Sequence, residues 1–488
     1  MPVPLMFLAV LIPQDANAHA EVITPYDLPV PLWLYLFACA ATLVITFAAA
    51  GYFISNPDSG SSSSRAVPIF NENARPSRMA EWTLGFLRIG AVAILALTIT
   101  AGFIGVSHPL SNISITLFWI IFVLGSAYSI ALVGDFFQMI NPWQTMVIAI
   151  EALGLDLTKA RVPYSPKIAY YPALMFYIAL IWTELFVLQR PSTLSSILLA
   201  YTLLTLAGSW LLGKKVWFEY AEFFSVFFRL IGLLAPVAYV WSPDSLRWRV
   251  YLRRPFAGLL QAPATHMSLV LIVLFMLSST TYDAMHNTDY WRNFYWQNAL
   301  TLTQPLWGTD LGKAQSLLMP WYLSFQRLGL VLSPMFYLGL YLIALWVMKH
   351  LTRSAIPLTM LARQFVFSIM PIAFVYNITH NLTHILATLD TLPALLSDPF
   401  GFGWNIFRVN TAPRMEEPIQ MGPVWHTQVA LMLGGHVVSV VLSHSIALRL
   451  FPSRRETMLS QLPLLTLMVG YTIIGLWILT LPIKVAAD

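Results

Sequence analysis

The sequence predicts an all-α fold: a polytopic membrane helix bundle of about ten transmembrane helices, with one further helix that is re-entrant or lies on the surface. Three observations predict it. Of 488 residues, 58% are hydrophobic and only 10% are charged, against about 25% charged in soluble domains. The mean hydropathy is +0.69. The apolar residues are gathered into runs near the roughly 20 residues a helix needs to cross a bilayer, where helices and closed barrels alone satisfy every backbone group. A soluble chain of this length would make about three domains; this one reads as a single transmembrane domain over 19–488.

The runs lie at 30–54, 84–106, 113–134, 170–189, 193–213, 264–282, 328–348, 364–389, 424–448 and 459–482. An eleventh stretch, 219–241, carries Glu219, Glu222 and Arg229 and is interrupted by Pro236. Loop charge decides its course, because short loops rich in Lys and Arg stay inside. Arg65, Arg75 and Arg78 follow the first run, Lys159, Arg161 and Lys167 the third, and Lys214 and Lys215 the fifth. Arg247, Arg249, Arg253 and Arg254 fall outside if 219–241 crosses and inside if it turns back. Turning back also puts Lys349, Arg353, Arg363, Arg454 and Arg455 inside. Both termini are then expected outside, with outer loops 283–327 and 390–423. The first of these holds Trp291, Tyr295, Trp296, Trp307 and Trp321. It should form short helices on the outer surface and cover whatever site lies beneath.

Smaller features have plain readings. Asp135 and Asn141 in GDFFQMINPWQ read as helix caps at the turn before Pro142. Glu184 is expected to pair with Arg190 or to snorkel, and Glu219, Glu222 and Arg229 to pair among themselves or with Lys214 and Lys215. No internal repeat is evident. The run 59–64 is a Ser-rich flexible loop. Residues 1–18 hold a short apolar stretch ending in Ala16-Asn17-Ala18, a signal-peptide candidate without a basic start. Cleavage there would leave His19 at the N-terminus, where it can chelate copper; a plain tail is the alternative. The single cysteine, Cys39, excludes an internal disulfide and a cysteine metal cage. The net charge of +5 comes from loops flanking the apolar runs. The expected partner is therefore the lipid bilayer, and no nucleic acid.

Histidines carry the functional signal. An ionisable group within a membrane span is costly and marks a functional site by default. With the topology above, His384 lies about 8 Å and His380 about 14 Å below the outer end of their run, and His436 about 18 Å down the next. His426 is at the outer edge of that same run, and Asp283 and His286 close the run 264–282. Asp283, His286, His380, His384, His426 and His436 thus share the outer half of the membrane. His380 and His384, four residues apart, project from one helix face and can hold a zinc or copper ion that a carboxylate completes. Haem ligation, a proton relay and a simple bond to a neighbouring helix are the alternatives. His108, His266 and His350 stand at span ends and read as interfacial. His444 lies on the far side, and a separate polar contact is its alternative use.

Several strings point further. DLPVPLWLYLFACAATLVITF at 27–47, NPW at 141–143, LSDPFGFGWNIF at 396–407, VWHTQVALMLGGHVVSVVLSH at 424–444 and MVGYTIIGLWIL at 468–479 resemble the bacterial integral membrane proteins labelled fenitrothion hydrolase, in order and over most of the chain. The resemblance implies a bacterial inner-membrane protein that hydrolyses hydrophobic organophosphate triesters to a phenol and a dialkyl thiophosphate. It also implies functional residues at Asp283, His380, His436 and His444, with a histidine where this chain has Asn377. His384 can stand in from the same face of that helix. The resulting expectation is metal-assisted hydrolysis of a hydrophobic small molecule. Asp283, His380, His384 and His436 hold a divalent ion, zinc or copper, and His426 serves as base. The alternatives are a transporter or copper-handling protein, and a redox subunit with haem between the runs 364–389 and 424–448.

Overall fold

The structure, a computed structural model, describes residues 30–54, 67–69, 78–242, 247–307, 310–409 and 420–481. The signal-peptide candidate, His19 and the Ser-rich run lie outside the described residues. The helices in chain order are α1 Leu32–Phe53, α2 Arg78–Ile104, α3 Ile113–Val133, α4 Pro142–Ala152, α5 Tyr171–Phe186, α6 Pro191–Leu212 and α7 Phe223–Gly232. They continue with α8 Met267–His286, α9 Asp289–Trp307, α10 Leu311–Thr352, α11 Leu358–Ser397, α12 Met421–Leu450 and α13 Arg454–Leu479. Among the described residues nine of these (α1, α2, α3, α6, α8 and α10 to α13) are long and apolar enough to cross a membrane. The chain is an all-α polytopic bundle. The tenth expected span is α5, which stops at 16 residues. Its end is closed by Gln189, whose amide donates to the carbonyls of Thr183 and Glu184 at 2.8 and 3.1 Å. The Thr183 carbonyl also accepts from Val187 N at 3.3 Å, so Gln189 adds to the closing of a helix end that would be costly to leave open in hydrocarbon.

Hydrogen bonds between loops sort the chain into two faces. Val67–Pro68 (β1), Val237–Ser242 (β2) and Arg247–Leu252 (β3) form a small antiparallel sheet in the order β1-β3-β2, with Val67 opposite Leu252. The loop after α1 therefore shares a face with the four-arginine loop. Arg161 N donates to Leu211 O at 2.8 Å, Ala264 N to Arg363 O at 2.9 Å, Arg449 to Leu260 O at 2.6 Å and Arg454 to Gly51 O at 2.9 Å. This is one basic face. On the opposite face Val106 N and Ile113 N donate to Phe400 O and Pro399 O at 2.9 and 3.2 Å. The stretch 219–241 leaves the basic face after Lys214 and returns to it at β2, so it is re-entrant, as loop charge required. Reporters fused after residue 69 and after residue 258 are expected to report the same compartment; opposite reports would break this partition.

The first half holds a repeated arrangement that residue identities conceal. Helices α3 and α6 both stop at a glycine with positive φ, Gly134 at +91° and Gly213 at +82°. After each, a short helical segment leads to a polar cap and then to a half-helix, α4 or α7. Asn141 caps α4, accepting from Trp143 N and Gln144 N at 2.9 and 3.1 Å. Glu222 caps α7, accepting from Phe224 N and Ser225 N at 3.1 and 2.7 Å. The caps meet: Asn141 Nδ2 donates to Ser225 Oγ at 3.1 Å and reaches Glu222 Oε2 at 3.5 Å. The Tyr201 hydroxyl also bonds Glu222. The charged groups here do not pair as expected. Glu222 is a cap, Lys214 pairs with Glu151 at 2.5 Å, and Arg229 donates to the Glu219 carbonyl at 2.5 Å.

The outer segments differ from expectation. Helices α10 and α11 are 42 and 40 residues long, about 60 Å at 1.5 Å per residue, twice a bilayer core of about 30 Å. Most of 283–327 is therefore a hairpin of α9 against the start of α10, and the early part of 390–423 continues α11. Aromatic rings hold the hairpin. Trp291 stacks on Phe325 at 4.8 Å, Tyr295 and Trp296 meet Tyr322 at 5.1 and 5.6 Å, and Tyr282 at its base donates to Gln326 O at 2.5 Å. These rings find partners in each other, which short separate surface helices would not need.

Candidate functional site

Helix α8 is the central strut, buried almost continuously from Ser268 to Ala284. The small polar residues Ser278, Ser279 and Thr280 let neighbours approach its outer end closely, and Asp283 follows them into a polar enclosure. Asp283 Oδ2 is 2.7 Å from His380 Nε2 of α11. Its other oxygen is 3.9 Å from His286 Nδ1, which lies 2.8 Å from the Asp283 carbonyl. The ring of His286 is buried and stacks on Tyr282 at 5.3 Å. The pair is partly open: the side chains of His380 and Asp283 are 16% and 27% exposed. The other ring nitrogen of His380, Nδ1, makes no hydrogen bond within the described residues.

A second carboxyl stands by. Glu184, two residues before the end of α5, is close enough to Asp283 to interact with it electrostatically. Among the described residues it makes no ion pair with Arg190. One turn inward of His380, Asn377 accepts from the Tyr128 hydroxyl at 3.1 Å. Tyr128 follows a ten-residue π-helical stretch, Thr116–Gly125, in α3; such stretches in a helix frequently accompany function. Sequence reading missed Glu184 and Tyr128 as members of this cluster. The signal for Glu184 was its depth in an apolar run; Tyr128 carried none.

His436 lies elsewhere. It is fully buried, its Nδ1 donates to the Met432 carbonyl at 2.7 Å, and its Nε2 has no partner among the described residues. It lines a cavity of about 10 Å³ with Thr281, Tyr337, Tyr376, Met432 and Tyr471, the room of roughly one water. His380 and Asp283 do not line this cavity, although Tyr376 and Thr281 are their near neighbours in the chain. His384 is half-buried one turn outward of His380. His426 is exposed in the second turn of α12, edge-on to Tyr35, with Nδ1 donating to the Gly422 carbonyl at 2.8 Å. His444 serves a separate contact at the basic face. Its Nε2 is 3.0 Å from the Ile54 carbonyl, and Gln461 Nε2 is 2.9 Å from its Nδ1.

The residues expected to share one ion are therefore placed apart. Asp283 and His380 meet as a hydrogen-bonded pair, His436 faces its own cavity, and His426 points outward. Among the described residues no three His, Cys, Asp or Glu side chains are grouped as ligands for one metal ion. Asp283 and His380 form a carboxylate–imidazole pair, an arrangement that can exchange a proton. No protein-family model, curated protein or solved structure matches the chain.

Proposed function

We propose that this multi-pass membrane protein uses Asp283 and His380 as a carboxylate–imidazole pair that accepts a proton from water during hydrolysis of a lipid-soluble ester. The observation that supports it is the 2.7 Å contact of Asp283 Oδ2 with His380 Nε2, with Nδ1 making no hydrogen bond among the described residues. A carboxylate on one nitrogen fixes the tautomer and stabilises the imidazolium that forms when the other nitrogen takes a proton. The resemblance to the fenitrothion hydrolases supplies the substrate class, an aryl dialkyl thiophosphate. Such a molecule partitions into the bilayer and would reach a partly open pair in its outer half. Water oxygen bonds to phosphorus as the bond from phosphorus to the aryl oxygen breaks. The water proton passes to His380 and from there to the leaving phenolate. The basic face is then cytoplasmic by loop charge, and the pair faces the outer side of a bacterial inner membrane.

The test is release of the nitrophenol from fenitrothion by protein in lipid nanodiscs. Removing a general base costs roughly 100- to 10,000-fold, so His380→Phe is expected to lose that much, with gel filtration unchanged and exposed His350→Phe retaining the wild-type rate. Equal rates in His380→Phe and wild type would remove the pair from the reaction. Stoichiometric zinc or copper in the wild type, lost in His380→Phe, would make the pair metal ligands instead.

A further inference from the structure

Serine and threonine hydroxyls inside membrane helices normally bond back to a carbonyl of the preceding turn. Ser445 of α12 does so to Val441 at 2.9 Å, and Thr472 of α13 to Met468 at 2.9 Å. Ser439 and Ser443 of α12 do not: their hydroxyls are buried and have no hydrogen-bond partner among the described residues. Nor, among the described residues, have His436 Nε2 and the Tyr471 hydroxyl, both at the small cavity. His436, Ser439 and Ser443 are 0%, 0% and 3% exposed. Positions 436, 439 and 443 fall within a sector of about 60° on one helix face, at 100° per residue. An unsatisfied polar group in hydrocarbon costs several kcal/mol, so a seam of them needs a shared polar occupant. Steps of about one turn, roughly 5–6 Å, suit one water between each pair of side chains.

Both ends of this seam meet polar structure. On the outer side the cavity includes Thr281, which accepts from the Tyr337 hydroxyl at 2.9 Å. Thr281 stands two residues from Asp283, and Tyr376 one turn from His380, the partly open pair. On the inner side Ser443 is followed by His444, held by Gln461 and by the Ile54 carbonyl at the basic face.

We propose that a proton path crosses the bundle along α12, from the Asp283–His380 pair through the cavity, His436, Ser439 and Ser443 to His444, with water carrying the proton between side chains. Nδ1 of His436 keeps its proton on the Met432 carbonyl. Nε2 accepts a proton from water on the cavity side and returns it to water on the Ser439 side. Each hydroxyl passes one proton on as it receives another, so no oxidant or co-reactant is required. The path does not depend on the hydrolytic reading.

The test is proton flux into liposomes that hold the full chain and an internal pH dye, driven by a potassium gradient with valinomycin. Wild-type liposomes are expected to acidify faster than protein-free ones. Ser439→Ala with Ser443→Ala is expected to reduce that excess at least tenfold, and Ser445→Ala to leave it unchanged. Removing hydroxyls that have no protein partner should not lower the melting temperature, which separates a broken path from a broken fold. His436→Phe should act in the same direction; if it fails to fold, the serine variants carry the test alone. Wild-type flux no higher than that of empty liposomes, or undiminished flux in the double serine variant, would overturn the proposal.

Discussion

Replacing Glu222 by alanine is expected to destabilise the protein by about 2–4 kcal/mol. The N-cap of α7 is lost, about 1 kcal/mol. The Tyr201 hydroxyl loses an acceptor inside the bundle, and a buried group left unsatisfied costs about 1–3 kcal/mol; the Asn141 amide keeps Ser225 Oγ. The side chain is wholly buried, so water does not restore these bonds. Phe224 N and Ser225 N donate to different oxygens of Glu222; Glu222→Gln keeps the shape and one of these acceptors, and should lose less than the alanine variant. Tryptophan fluorescence during heating in detergent measures the order. The capping network has no such role if Glu222→Ala melts within a degree of the wild type.

Gly134→Ala is expected to cost at least about 3 kcal/mol, from two separable causes. The residue sits at φ +91°, where a side chain is strained by about 1–3 kcal/mol. An added Cβ would also lie 2.4 Å from the Val237 carbonyl oxygen of β2, and backbone cannot rotate aside as a side chain tip can. Gly154 isolates the first cause: it has φ +98° with nothing within 4 Å of a Cβ. Gly154→Ala should therefore lose only the conformational part, and Gly90→Ala, on an open helix face with nothing within 4 Å, nothing measurable. Equal melting temperatures for Gly134→Ala and Gly154→Ala would mean that β2 moves aside freely.

Hydropathy and loop charge made the bundle and its two faces legible. Apolar length is a direct physical requirement of the bilayer, and the loop arginines recorded that 219–241 turns back. Asn141 was readable as a cap because Asn before Pro has few other uses. Three things were not readable. The long outer extensions of α10 and α11 escaped because a helix beyond the membrane needs no apolar run, only a partner such as the aromatic face of α9. The paired half-helices escaped because their shared feature is a backbone course, with Asn in one cap and Glu in the other. The convergence of Asp283 with His380 was anticipated, but shared depth does not fix azimuth around the helix. That is why His436, in the same half of the membrane, faces a different cavity, and His426 faces away from the pair.

The meeting of the two caps has a consequence for how the protein is made. Asn141 finds Glu222 and Ser225 only 81 and 84 residues further along the chain. At about 5–20 residues per second of synthesis, the first half-helix waits roughly 4–17 s for the groups that complete its buried end. During that interval α4 has an apolar body and a cap still short of its partners, unfavourable in lipid and in water alike. The buried end of the first half-helix is therefore complete only once the second has been made, and the two are expected to pack as one unit.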